Sequence, residues 1–226
     1  MKRCYFPQLI LPFAFLILIT SVFSASAAET NPSKTPMEKL IQGNQRYVDS
    51  ETVFQTDWNS KRVALVEDQA PFAIIVACSD SRVPPELLFD QTLGSIFVVR
   101  LAGNVVDDIA IGSIEYAVKV LGANLVVVLG HSNCGAVDAA LNGLEFDNHI
   151  QKVLDEIKPA ITSVKGQSKD SHKLLEIATK ANVRNVKEKI MTSQPFLAKS
   201  IKDNSLQVIG AYYDLETGKV EFLDKP

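Results

Sequence analysis

Residues 72–77 (FAIIVA) and 124–130 (NLVVVLG) are short, almost wholly apolar runs with β-branched residues at their centres. Neither leaves a polar face for water, so each predicts a strand buried on both sides, as in a parallel sheet covered by helices. Both runs end in chemistry. Cys78, Asp80 and Arg82 follow the first, spaced by two serines; His131, Ser132, Asn133, Cys134 and Gly135 follow the second. Packing alone does not call for such residues, and in an open α/β sheet the carboxyl edge of the strands is where ligands bind. Parallel strands set those edges side by side, with His131 in the turn and Cys134 where a helix over 135–141 begins. Cys78, His131 and Cys134 can then converge as two thiolates and an imidazole, a three-ligand zinc set that leaves a fourth position for water. The helix start also favours an ionised Cys134 sulfur.

The two motifs, CSDSR at 78–82 and HSNCG at 131–135, together resemble a β-class carbonic anhydrase. The likeness extends through RLAGN at 100–104 and IEYAV at 114–118 and spans residues 35–223. It implies zinc-dependent reversible hydration of carbon dioxide to bicarbonate and a proton, with one zinc ion per subunit. It implies a homodimer or a dimer of dimers, and further substrate contacts by position. Gln69 would touch substrate, Phe97, Ala102 and Tyr116 would line an apolar carbon dioxide pocket completed by a partner subunit, and the Gly135 backbone would contact bicarbonate. Read as residues, Phe97 and Tyr116 serve equally well as core, Gln69 as a loop glutamine and Asn104 as a turn residue. Some members close the site by swinging the equivalent of Asp80 onto the metal, in some cases with a regulatory bicarbonate. That regulation needs a tryptophan where this chain has Ile75, although its Arg100 is present, so an open site without bicarbonate regulation is expected.

Two thiolates leave bound zinc near zero net charge, so it acidifies water less than a tris-histidine zinc does. Asp80 answers that need by accepting the proton of zinc-bound hydroxide and aiming its lone pair at carbon dioxide. Arg82 keeps Asp80 ionised and oriented. These two form the expected catalytic dyad.

At the start of the chain, Lys2 and Arg3 precede an apolar run over 9–23, and small residues with an A-x-A pattern at 25–27 follow. This is the layout of a secretory signal peptide over 1–28, which places the mature protein in the periplasm or outside the cell. An uncleaved anchor is the alternative, but the apolar run is short for spanning a membrane. Loss of Lys2 and Arg3 with the leader leaves 21 basic against 26 acidic residues, a formal charge of −5 in place of −3, which argues against a nucleic-acid partner. It also removes Cys4, leaving Cys78 and Cys134 in an oxidising compartment. A disulfide between them is the competing reading, against which the flanking His131, Asp80 and Arg82 count.

Residues 29–226 predict a single α/β domain. Its centre is a mostly parallel β-sheet, four parallel strands plus a C-terminal antiparallel edge strand, flanked by α-helices and preceded by an N-terminal helical arm. The arm starts at the capping box Thr35-Pro36-Met37-Glu38 and runs to Val48, with Leu40, Ile41, Tyr47 and Val48 on one side. Further helices are expected at 57–68, 84–89, 107–121, 150–164, 174–191 and from 195, and strands at 95–100, 206–212 and up to 223. Carbon disulfide or carbonyl sulfide hydrolysis on the same ligands, and a structural zinc closed by Asp80, stand as rival readings of the site.

Overall fold

The computed structural model describes residues 34–53 and 58–224. The expected signal peptide therefore lies outside the described residues. Five strands form one sheet in the order β2-β1-β3-β4-β5: β1 (Ala73–Ala77), β2 (Ile96–Arg100), β3 (Leu125–His131), β4 (Gln207–Tyr213) and β5 (Val220–Phe222). The first four pair in parallel and β5 runs antiparallel to β4, as the sequence predicts.

Residue parity explains why β1 and β3 lack a polar face. Ile74 and Val76 join Val126 and Val128 beneath α4 (Asp108–Lys119), α7 (Ser171–Thr192) and α8 (Phe196–Lys202). Ala73, Ile75 and Ala77 join Leu125, Val127 and Leu129 on the opposite face, under α1 (Pro36–Val48) and α3 (Pro85–Leu88). Every β1 and β3 residue is buried. Among the described residues no helix is long and apolar enough to cross a membrane.

The capping box at α1 is formed as expected. Glu38 N donates to Thr35 Oγ1 at 3.2 Å, and Thr35 N donates to Glu38 Oε2 at 2.8 Å. The buried face of α1 differs from expectation: it is Met37, Leu40, Gly43 and Asn44, while Ile41 is exposed. Gly43 decides this, because a Cβ there would stand 1.8 Å from the Phe89 carbonyl oxygen. The bare backbone lets α1 lie against α3, and Asn44 Nδ2 donates to the carbonyls of Leu88 and Gly218. The arm thus covers the core of its own chain.

Other boundaries shift for local reasons. Helix α2 (Trp58–Ala64) is shorter than expected and buries none of its residues; it ends in tighter turn bonds from Leu65 N to the Arg62 carbonyl and Val66 N to the Val63 carbonyl. Helix α7 starts three residues early because Asp170 caps it, accepting from Lys173 N at 3.0 Å.

Candidate metal centre

The register of β1 against β3 carries the first two ligands together. Ala77 pairs with Leu129, so Cys78 and His131 leave adjacent strand ends almost level. His131 is the last residue of β3 rather than part of the turn as expected, because β4 extends the ladder to it through Tyr213. After it, Asn133 takes a positive φ of 54°, and Cys134 caps α5 (Gly135–Leu141). This tight return brings the Cys134 sulfur back over the strand ends. The ligand atoms of Cys78, His131 and Cys134 lie within 4.8 Å of one another, and all three residues are buried. Cys78 and Cys134 are both free, which counts against the disulfide reading.

The chemistry of this set fits a metal. His131 Nδ1 lies 2.9 Å from the Ser132 carbonyl oxygen, which can only accept, so Nδ1 carries the proton and Nε2 the lone pair. Nε2 is buried and has no hydrogen-bond partner among the described residues. A buried acceptor left open costs stability unless something takes it, and a cation would. The sulfurs are prepared in the same way. Cys78 Sγ accepts from Gly103 N at 3.2 Å and from Asp80 N at 3.4 Å.

The two thiols are shifted in opposite directions by their contact with each other. Hydrogen bonding from the Cys134 thiol, with the Asp80 and Gly103 N–H groups, draws the Cys78 thiol well below its ordinary value. Hydrogen bonding to the Cys78 sulfur and burial push Cys134 far above the ordinary thiol value. A dication would reverse the sign at Cys134, since two thiolates around a double positive charge cancel it.

Asp80 and Arg82 stand at the rim in a bidentate clasp. Arg82 Nε donates to Asp80 Oδ1 at 2.9 Å and Arg82 Nη2 to Oδ2 at 2.8 Å, with Arg82 N also on Oδ1 at 2.9 Å. Arg82 therefore holds the Asp80 carboxyl well below the usual carboxylate range. Asp80 Oδ2, the less occupied oxygen, is 3.9 Å from His131 Nε2 and so faces the ligand set.

The remaining expected site residues are spread more widely. Gly135 is the first residue of α5 beside Cys134. Ala102 opens the short 3-10 turn at 102–104 whose next residue reaches Cys78. Phe97 lies on the outer strand β2, half-buried against the core. Tyr116 on α4 is 50% exposed, and Gln69 is exposed in the loop before β1.

The sequence reading placed Arg100 and Gly103 in the RLAGN stretch but missed what they do beside Cys78. Arg100 donates from Nε to the Cys78 carbonyl at 2.9 Å and from Nη2 to the Asp80 carbonyl at 2.6 Å, bracing the loop that presents both residues. Gly103 donates its N–H to the Cys78 sulfur. An arginine closing a strand and a glycine three residues beyond its end, both within RLAGN, were the signals.

Comparison with known proteins agrees with the geometry. The family model described as carbonic anhydrase matches residues 73–220. Carbonic anhydrase 2 of Mycobacterium tuberculosis is 35% identical over 199 residues, covering 86% of this chain and 94% of its own. The Coccomyxa β-carbonic anhydrase structure superposes with a TM-score of 0.68 at 25% identity, over 85% of this chain and 88% of its own. A β-carbonic anhydrase of Sordaria macrospora, described as tetrameric, shares the fold with a TM-score of 0.69 at 24% identity, over 81% of this chain and 94% of its own. This chain belongs to the β-class carbonic anhydrases.

Proposed function

We propose that the protein is an exported, zinc-dependent enzyme that interconverts carbon dioxide and bicarbonate. The observation that carries this is the convergence of Cys78, His131 and Cys134 with the His131 Nε2 lone pair open, beside an Asp80 already clasped by Arg82. Zinc held by these three side chains would supply the Lewis acidity that makes water a nucleophile near neutral pH.

The work of the chain's own residues follows from their positions. Asp80 stays ionised through neutral pH because Arg82 bonds both its oxygens, and it presents Oδ2 as an acceptor toward the ligand set. A nucleophile donating its proton to that oxygen is turned so that its lone pair faces an incoming carbon dioxide. Gly135, Ala102, Phe97, Tyr116 and Gln69 bind or enclose substrate. Bidentate engagement of Asp80 by Arg82 supports an open site, and Ile75 in place of tryptophan supports the absence of bicarbonate regulation.

The protein works as a homodimer or a pair of dimers. Supporting this, Ile109, Tyr116 and Val120 form an exposed stripe on α4 next to β2, the outer strand of the sheet. Residues 1–28 direct export to the periplasm or beyond, as the charged, apolar and small-residue segments of the leader support.

Replacing Asp80 by Asn tests the catalytic reading. Zinc content of the purified protein should stay at one per chain while carbon dioxide hydration falls by about a hundredfold or more. Loss of zinc with Asp80→Asn would favour a structural site closed by the carboxylate.

A further inference from the structure

A deeply buried amide on α7 reaches the metal centre through one intervening residue. Asn182 is fully buried, and its Nδ2 donates to the Gly103 carbonyl at 2.8 Å. Gly103 in turn donates its N–H to Cys78 Sγ at 3.2 Å. Gly103 has a φ of 64°, a conformation that costs glycine little and other residues more. A Cβ on it would stand 2.7 Å from Ile157 Cδ1 and 3.2 Å from Ala136 Cβ. The turn is therefore pressed from α5 and from α6 (Ile150–Val164) and hung from α7 by Asn182.

Helix α7 is itself fixed to the strand that carries His131. Gly130 precedes His131 and lacks a side chain, and a Cβ there would stand 2.6 Å from Val183 and 3.0 Å from Thr179. One helix thus rests on the strand holding the imidazole and tethers the turn that touches a thiolate. Asn182 Oδ1 has no hydrogen-bond partner among the described residues. Burying an amide with an unanswered acceptor is costly, and an apolar side chain of that volume would fill the place without the cost. What the amide adds is its bond to Gly103.

We propose that Asn182 is a positioning residue of the metal centre: it holds the Gly103 N–H on the Cys78 sulfur and so sets how strongly that thiolate donates to the metal. This rests on the zinc-site reading above. An N–H bond to a ligating sulfur draws electron density off it, so losing the bond makes sulfur-to-metal charge transfer easier and loosens the geometry of the set.

The test uses the full-length mature protein loaded with cobalt(II), comparing Asn182→Ala and Asn182→Ser with Asn185→Ala. Asn185 lies on the same helix and bonds the Glu156 carbonyl instead, at 3.4 Å. Both Asn182 variants should move the thiolate-to-cobalt charge-transfer band to lower energy and weaken cobalt affinity, by chelator competition, about tenfold or more. Asn185→Ala should lower melting temperature while leaving band and affinity as in the wild type. Asn182 variants that only melt earlier, with band and affinity unchanged, would overturn the proposal. Wild-type protein that takes up no cobalt would instead overturn the metal-site reading itself.

Discussion

At the scale of single residues, the chemistry is concentrated in side chains whose neighbours decide their charge. Asp80 is ionised because three Arg82 N–H groups bond it, and Arg82 is set in turn by its 3.3 Å bond to the Asn133 carbonyl. Replacing Arg82 with Ala should free Asp80 to rotate, cutting turnover about ten- to a hundredfold with zinc content unchanged. Stopped-flow carbon dioxide hydration beside metal analysis checks this. The meeting of Cys78, His131 and Cys134 and the pairing of Asp80 with Arg82 were legible in the sequence because both motifs sit at the ends of continuous apolar runs. The bracing contacts of Arg100 and Asn182 were not, since they run to main-chain atoms across 20 residues or more of sequence, and no spacing encodes such a contact.

At the scale of elements, strands read well and helix faces less so. Continuous apolar runs mark strands buried on both sides, so β1 and β3 were plain. The buried side of α1 was misjudged because the decisive residue, Gly43, acts by what it lacks. The outer face of α7 is set by charge instead. Lys180 bonds Glu176 on its own helix and Glu221 on β5, and sits 4.8 Å from the centre of the Tyr212 ring. Hydrogen bonds from Lys173 and then Lys180 lower the Glu176 carboxyl below its ordinary value. A depressed carboxylate stabilises the fold above its unfolded pKa, and that contribution is lost as pH falls through the folded value. Glu176→Gln should therefore cost about 0.5 kcal/mol at neutral pH, as partly exposed pairs do, a cost that shrinks below about pH 4 and vanishes once pH has fallen through the depressed folded value. Urea unfolding at several pH values reads the difference.

At the scale of the whole molecule, the sheet order sets Cys78 and His131 on neighbouring strands and leaves β2 at an edge. Ile109 is 79% exposed and Val120 61% exposed on the helix beside that edge. Under the dimer reading these residues are covered by a second copy, a feature a single sequence shows only as an amphipathic helix with one apolar residue too many. Ile109→Glu combined with Val120→Glu should reduce the sedimentation mass to that of one chain and lower turnover with it; an unchanged mass would refute that surface as the contact.

The central claim is that Cys78, His131 and Cys134 hold a zinc ion that keeps one position for solvent. Zinc K-edge X-ray absorption of the purified protein near pH 8 tests it most directly. The account predicts two sulfurs at about 2.3 Å and two nitrogen or oxygen neighbours at about 2.0–2.1 Å around each zinc. A shell without sulfur, or protein isolated with its two thiols joined and no zinc, would contradict it.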